Sequence, residues 1–340
     1  MSEPLLDVSG LCVDYITAKG TTRAVEQVSF QLAPGEFLGV VGESGCGKST
    51  MLFGVSQLLS DTAQISGGSV KFKGRELVGL AEKQLRGLRW REFAVVMQSA
   101  MNALNPMKTV GAQFSDVMRA HGQTDRVKIR KRSEEVLGLV GIDTAHLRSF
   151  PHQLSGGMRQ RSMIAMALLF EPSLILMDEP TSALDLVAQR SLMNRIKELQ
   201  RELGFAAVFV THDMSAVSRF SDRMLVMYAG QVSESAPTRE LFSTPRHPYT
   251  RGLMEAFPSV RGPRKQLAGI PGSPPNLAEP PRGCRFHPRC PVVMEQCPTT
   301  APELVAAGGA QVRCLRYEPA EPAEPAEPAE PAQLSATEED

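Results

Sequence analysis

Three hundred and forty residues, 42% hydrophobic and 22% charged, are enough for about two domains and a sizeable buried core. The 37 basic and 37 acidic residues cancel, so no overall field points to a nucleic-acid partner. No apolar run reaches the ~18 residues of a membrane span, and Met1–Pro4 lacks the basic-then-apolar order of a signal peptide.

The chain opens with two alternating stretches, Leu11–Tyr15 and Val28–Leu32, among turn signals at Lys19-Gly20 and Pro34-Gly35. They read as antiparallel strands. Cys12 on the first reads as a small core residue. Tyr15 offers a ring to an adenine, although a strand tyrosine is more often half-buried packing. Phe37–Val41 then reads as a buried strand and Met51–Val55 as the start of a helix. Between them lies Gly42-Glu43-Ser44-Gly45-Cys46-Gly47-Lys48-Ser49-Thr50. The order strand, G-x-x-x-x-G-K-S, helix is the context of a phosphate-binding loop. Glycines let successive backbone N–H groups curl into an anion nest, and the helix N-terminus adds partial positive charge. Lys48 can then reach the β- and γ-phosphates, and the Ser49 hydroxyl can ligate Mg²⁺. A Gly-rich turn with an exposed lysine is the plainer alternative, and it does not require that flanking order.

Val70–Lys73, bracketed by Gly67-Gly68-Ser69 and Gly74, reads as a short strand, and Glu92–Met97 as a buried one ending at Gln98. Gln98 is either a solvated loop residue or a group reaching the nucleotide's metal and water; spacing leaves both open. From about residue 110 to 150 the pattern is helical. The basic run Arg126, Lys128, Arg130, Lys131, Arg132 reads as a solvated helix face, because no aromatics interleave it as a nucleic-acid surface would require.

Leu154-Ser155-Gly156-Gly157-Met158 precedes a helix over 158–170 that is apolar almost all round, and so buried. Its start offers backbone N–H groups and the Ser155 hydroxyl to a second anion. One nucleotide site does not need two such devices, and the surplus makes sense if two chains share each nucleotide. Leu174–Glu179 is a core strand ending in two carboxylates, at the sheet edge where ligands bind. Asp178 can hold Mg²⁺ through water and Glu179 can polarise an attacking water; a capped turn before Pro180 is the bland alternative. Asp185 leads into an amphipathic helix with Leu192, Ile196, Leu199 and Leu203 on one stripe. The strand Ala207–Thr211 brings His212 to the same edge, where it can contact a γ-phosphate. Met224–Tyr228 is one further strand.

Taken in this order, the motifs resemble the ATP-binding subunit of an ABC transporter over roughly residues 5–317. The resemblance makes Gly42–Ser49 the Walker A loop, with Gly42, Ser44, Gly45, Cys46, Gly47, Lys48, Ser49 and Thr50 around the ATP phosphates. It makes Gln98 the Q-loop glutamine and a ligand of Mg²⁺ beside Ser49 and Asp178, and Ser155, Gly156 and Gly157 the signature. Glu179 follows Walker B, Asp185 closes the D-loop, His212 is the switch histidine, and Tyr15 takes the adenine-stacking position. The fold implied is an α/β P-loop NTPase (RecA-like) core over 1–255, with an antiparallel β subdomain and an α-helical signature subdomain at about 100–170. Two such subunits are expected to close head-to-tail, with ATP between Lys48 and Ser49 of one and Ser155-Gly156-Gly157 of the other.

Met101–Pro106, Pro151–Gln153, Arg246–Thr250, Ile270–Pro275 and Gly283–Pro291 resemble, more narrowly, the oligopeptide/dipeptide (peptide/nickel) importers. Ser233-Glu234-Ser235 departs mildly from the Val-Glu-x-Gly usual there. The resemblance implies peptide import, or import of nickel or another small solute, with a second ATPase subunit, two membrane permease subunits and a solute-binding protein. The chain would sit at the cytoplasmic face of the membrane. A soluble ABC ATPase acting on nucleic acid or ribosomes is a distant alternative, since such proteins usually carry two cassettes or a long coiled-coil insertion.

Cys284, Cys290, Cys297 and Cys314 fall in a Pro/Gly-rich extension over 256–317, with five, six and sixteen residues between neighbours. In a reducing compartment disulfides are not expected. The spacing is atypical for zinc and differs from the commonest iron–sulfur runs. A segment of about sixty residues barely supports its own core, however, which favours a structural metal. The residues leave an iron–sulfur cluster, zinc and free thiols open; some family members resemble this pattern and carry a [4Fe–4S] cluster there, which the resemblance therefore puts first. His287 is expected not to be a ligand. Residues 318–340 begin with a Glu-Pro-Ala repeat and read as an extended, solvated tail.

Overall fold

The computed structural model describes residues 3–18, 20–98, 103–182, 184–256 and 269–317. Met101 and Asn102 after Gln98, and the tail from residue 318 onward, lie outside them. Strand β1 (Leu6–Thr17) pairs antiparallel with β2 (Gly20–Leu32) and with β4 (Ala63–Phe72); β5 (Arg75–Glu76) closes a four-stranded sheet in the order β2-β1-β4-β5. The central sheet is built from β3 (Phe37–Val41), β6 (Phe93–Val96), β7 (Leu174–Asp178), β8 (Ala206–Val210), β9 (Arg223–Tyr228), β10 (Gln231–Pro237), β11 (Val305–Ala307) and β12 (Ala310–Val312). Its order is β11-β12-β10-β9-β3-β8-β7-β6, parallel from β9 to β6 and antiparallel beyond. Every residue of β3, β7 and β8 is buried, as unbroken apolar runs require in a parallel sheet covered on both faces.

Helix α1 (Lys48–Ser56) lies between this sheet and the four-stranded one, in a core with Leu11, Val13, Leu38 and Val208. After α2 (Glu82–Leu88), helices α3 (Val110–Ala120), α4 (Arg126–Leu139) and α5 (Gly156–Ala167) form the helical subdomain. Helices α6 (Leu186–Leu203), α7 (Met214–Phe220), α8 (Thr238–Ser243) and α9 (Pro248–Glu255) complete the cassette. The P-loop NTPase architecture expected from the motifs is the one observed.

Three local readings change. Gly67-Gly68 does not bracket a strand but lies inside β4: Gly68 has φ +89°, and a Cβ there would stand 2.4 Å from the Gly10 carbonyl oxygen of β1. The glycines permit a bulge where two backbones touch. Arg132 of the basic run is not simply solvated, because its guanidinium donates to the Leu168 and Leu169 carbonyls (2.7 and 3.0 Å) and so caps the end of α5. Leu203 leaves the predicted stripe at 41% exposure, whereas Met193 and Gln200 are buried on α6.

The cysteine-bearing extension joins the cassette rather than standing apart. Its β12 pairs with β10 (Glu234 opposite Val312), and Phe286, Ala310, Val312 and Cys314 enter the same core as Tyr228 and Tyr249. His247 organises this junction. Its Nδ1 accepts from the Tyr249 N–H at 3.0 Å and Pro248 fills the first turn of α9. Burial pulls this imidazole from 6.5 down to about 4. Between those values the unfolded chain binds a proton that the folded chain refuses, so stability is lost as pH falls through that window, by about 3 kcal/mol in full. Glu234, which accepts from the N–H groups of Arg246 and His247, is raised by burial and acts with the opposite sign. The urea midpoint is therefore expected to drop from pH 7 to pH 5, and to drop less in His247→Asn. Equal slopes in the two proteins would remove His247 from this account.

Candidate nucleotide-binding site

The carboxyl ends of β3, β7 and β8 carry the loops that meet at one cleft of about 800 Å³. Tyr15, Ser44, Gly45, Gly47, Lys48, Ser49, Thr50, Gln98, Glu179 and His212 line it, with Thr17, Thr22, Ala24 and Leu277. The loop between β3 and α1 needs its glycines. Gly42 (φ +154°) would place a Cβ 2.2 Å from the Met227 carbonyl oxygen, and Gly47 (φ +100°) one 2.4 Å from that of Ala24. Neither obstacle is a movable side chain, so both positions require glycine.

Lys48 is buried, and its ammonium donates to the Gly42 and Glu43 carbonyls at 2.8 and 2.9 Å. Those bonds hold the charge inside the curl of the loop. Cys46 Sγ lies 3.7 Å from Lys48 Nζ and is buried; this residue borders a neighbouring cavity of about 370 Å³ and not the main cleft. Ser49 donates to Asp178 Oδ1 at 2.9 Å, joining the start of α1 to the end of β7. Burial raises the Asp178 carboxyl, while the Ser49 hydroxyl and Lys48 pull the other way. The Tyr15 hydroxyl stands 3.3 Å from Thr50 Oγ1, and Tyr15 is part of the cleft wall.

Gln98, Glu179 and His212 converge. Gln98 Nε2 donates to Glu179 Oε2 at 2.8 Å, and His212 Nδ1 lies 3.1 Å from Glu179 Oε1. Gln98 and His212 thus both border the cleft, on either side of the Glu179 carboxylate. Glu179 holds φ +44°, an uncommon region for a side chain of this kind, pinned by its N–H donating to the Val210 carbonyl at 2.9 Å. Ser155, Gly156, Gly157 and Asp185 are not brought to this cleft. Ser155 caps α5 by accepting from the Met158 N–H (3.3 Å), and Asp185 caps α6 by accepting from that of Ala188 (2.8 Å).

Sequence reasoning did not assign Thr17, Thr22, Ala24 and Leu277 to the cleft wall, nor Glu43, Tyr249 and Arg289 to the support behind the phosphate loop. The Glu43 N–H donates to the Tyr249 hydroxyl at 2.9 Å, and its carboxylate accepts both ends of the Arg289 guanidinium. Glu43 lies inside the loop, and Tyr249 and Arg289 lie inside stretches that carried the family resemblance, but nothing in the sequence joined the three.

Four cysteines also share a place. Cys284, Cys290, Cys297 and Cys314 border one small cavity with His287, and none forms a disulfide. Burial pushes the Cys284 thiol up to about 11, with the three neighbouring cysteines adding to it. Cys290 and Cys314 are raised in the same way. His287 Nδ1 is engaged at 2.9 Å by the Cys284 carbonyl. Among the described residues, no group of three or more His, Cys, Asp or Glu is arranged to hold a metal ion.

Comparison with known proteins agrees with this geometry. Residues 25–182 match the ABC transporter family, and residues 233–297 match the oligopeptide/dipeptide transporter C-terminal region. The oligopeptide transport ATP-binding protein OppD of Salmonella typhimurium is 42% identical over 91% of this chain and 92% of its own length. The dipeptide transport ATP-binding protein DppD of Caldanaerobacter subterraneus subsp. tengcongensis is 38% identical over 92% of this chain and 97% of its own. Among solved structures, the dimeric bacterial ABC transporter cassette MJ0796 superposes with a TM-score of 0.63 at 29% identity, over 69% of this chain and 99% of that one. A post-hydrolysis state of the same cassette, bound to ADP and Pi, gives a TM-score of 0.62 at 29% identity, again over 69% of this chain and 99% of that one. The chain belongs to the ABC transporter ATPases, in the group that carries the oligopeptide/dipeptide transporter C-terminal region.

Proposed function

We propose that this chain is the ATP-hydrolysing motor of a peptide importer, working with a second ATP-binding subunit, two membrane permease subunits and a solute-binding protein at the cytoplasmic face of the membrane. The observation that carries it is the meeting of Lys48, the Ser49–Asp178 pair and the Gln98–Glu179–His212 group in one cleft. Peptide as cargo is supported by the names of the relatives and by the C-terminal region shared with them.

Phosphoryl transfer to water asks the protein for position and charge rather than covalent chemistry. Lys48 and the loop N–H groups would hold the phosphates, and Tyr15 would stack on the adenine. Mg²⁺ would be held by Ser49, Gln98 and, through water, Asp178, and would neutralise phosphate charge when bound. Glu179 would orient and deprotonate the attacking water, and His212 would hold the γ-phosphate. The signature residues Ser155, Gly156 and Gly157, with Asp185, would complete the site of the partner subunit. Assembly is tested by ATPase activity of the chain purified with and without co-expressed permease subunits. Activity that rises with them supports the motor; activity indifferent to them returns the chain to the soluble ABC ATPases.

We further propose that the four cysteines hold a [4Fe–4S] cluster in a structural role. What supports this is a set of four cysteines lining one cavity, none in a disulfide, with the thiols of Cys284, Cys290 and Cys314 raised by burial and by neighbouring cysteines, a state that a bound cation reverses. Anaerobically purified protein is expected to show broad visible absorption with iron and acid-labile sulfide, all lost in Cys297→Ser. Stoichiometric zinc instead would replace the cluster, and neither metal would leave four free thiols.

A further inference from the structure

We infer that Arg289 of the cysteine-bearing extension is a positioning residue of the nucleotide site, acting through the Glu43 side chain to fix the phosphate loop. Its guanidinium meets the Glu43 carboxylate in a two-pronged pair, Nη1 to Oε2 at 2.7 Å and Nη2 to Oε1 at 2.9 Å. The arginine side chain is 6% exposed and the glutamate 23%. Its remaining donors are also engaged: Nε by the Pro271 carbonyl (2.7 Å), Nη2 by that of Gly272 (3.4 Å), Nη1 by the Tyr228 hydroxyl (3.4 Å). The fork therefore has one orientation.

An ion pair serving only to attach the extension would need nothing but the side chain of Glu43. Here every polar group of that residue is held. The N–H donates to the Tyr249 hydroxyl, the carbonyl accepts from Lys48, and the carboxylate is clamped by Arg289. Glu43 follows Gly42 directly, where a Cβ would stand only 2.2 Å from the Met227 carbonyl oxygen, so rotation of Glu43 would move the N–H groups that form the nest. Arg289 closes a short 3₁₀ turn, His287–Arg289, capped by Cys290. The cysteine segment and the phosphate loop are thus joined by one side chain. Loss of one partner leaves a buried charge unpaired, which loosens the loop more than it loosens the exposed parts of the extension.

The inference rests on the nucleotide site proposed above. Its test is the dissociation constant of a fluorescent ATP analogue for the full chain and for Arg289→Met, Glu43→Gln and the double variant. Each single change is expected to weaken binding roughly tenfold, and the double no more than the worse single, as for two residues acting through one contact. Arg289→Lys, which keeps the buried cation but not the fork, is expected to fall between and keeps the question open to measurement should Arg289→Met fold poorly. Unchanged affinity in Arg289→Met or in Arg289→Lys, or losses that multiply in the double variant, overturns the inference. Lys48→Ala separates the two failures: if it loses binding while Arg289→Met does not, only the clamp is wrong; if it too binds normally, the site itself is.

Discussion

Glu179→Gln is expected to bind ATP as the parent chain does and to hydrolyse it about 10³-fold more slowly, within the range general-base catalysis supplies. Glutamine has the same shape, so the bonds to Gln98 Nε2 and His212 Nδ1, at 2.8 and 3.1 Å, can each be met by one end of the amide. The backbone of residue 179 is set by the Val210 carbonyl and not by the side chain, so the uncommon φ of +44° survives the change. What the amide cannot do is accept a proton from water. Asp178 is no substitute, because its Oδ1 is engaged by the Ser49 hydroxyl and its carboxyl is buried among other groups. Single-turnover hydrolysis of radiolabelled ATP, with binding measured on the same sample, checks both halves. Turnover near the parent rate would move the base elsewhere, and loss of binding would make Glu179 a structural support of the cleft.

The parts of this site that could be read from the chain are those whose chemistry is local. A phosphate nest needs glycines at fixed offsets between a strand and a helix, and Gly42, Gly45, Gly47 and Lys48 meet that need within seven residues of sequence. Buried parallel strands need unbroken apolar runs, and β3, β7 and β8 supply them. The parts that stayed hidden depend on distant partners. Glu43 and Arg289 are 246 residues apart, and neither sequence neighbourhood names the other. The β11–β12 hairpin had a two-residue signal in Gly308-Gly309, but its strands of three residues each are too short for alternation to show. Gly67-Gly68 looked like punctuation because glycine marks both turns and close backbone approach; only the position of Gly10 on β1 decides between them. Arg132 looked solvated because its partners are carbonyls of another helix, which no charge pattern reveals.

Gly157→Asp separates the two anion-binding devices in this chain. A Cβ at Gly157 meets nothing within 4 Å, and Gly157 lies in the first turn of α5 away from the cleft that holds Lys48. The variant is therefore expected to fold, and the isolated chain to bind ATP within about twofold of the parent, as for a change remote from the ligand. Hydrolysis by the assembled complex is expected to fall about 10²-fold or more, because a carboxylate then stands where backbone N–H groups would meet the phosphates of a nucleotide held by the partner subunit. Lys48→Ala differs in kind: its ammonium is the buried donor of the cleft itself, so binding and hydrolysis fall together. The contrast follows from the proposal that one chain supplies half of each of two sites. Were Gly157→Asp to weaken binding by the isolated chain as much as it slows the complex, the signature would belong to the chain's own cleft and the head-to-tail arrangement would have to be abandoned. If it left the complex at full speed, Ser155-Gly156-Gly157 would be an ordinary helix start, and the surplus of anion-binding termini would need another explanation.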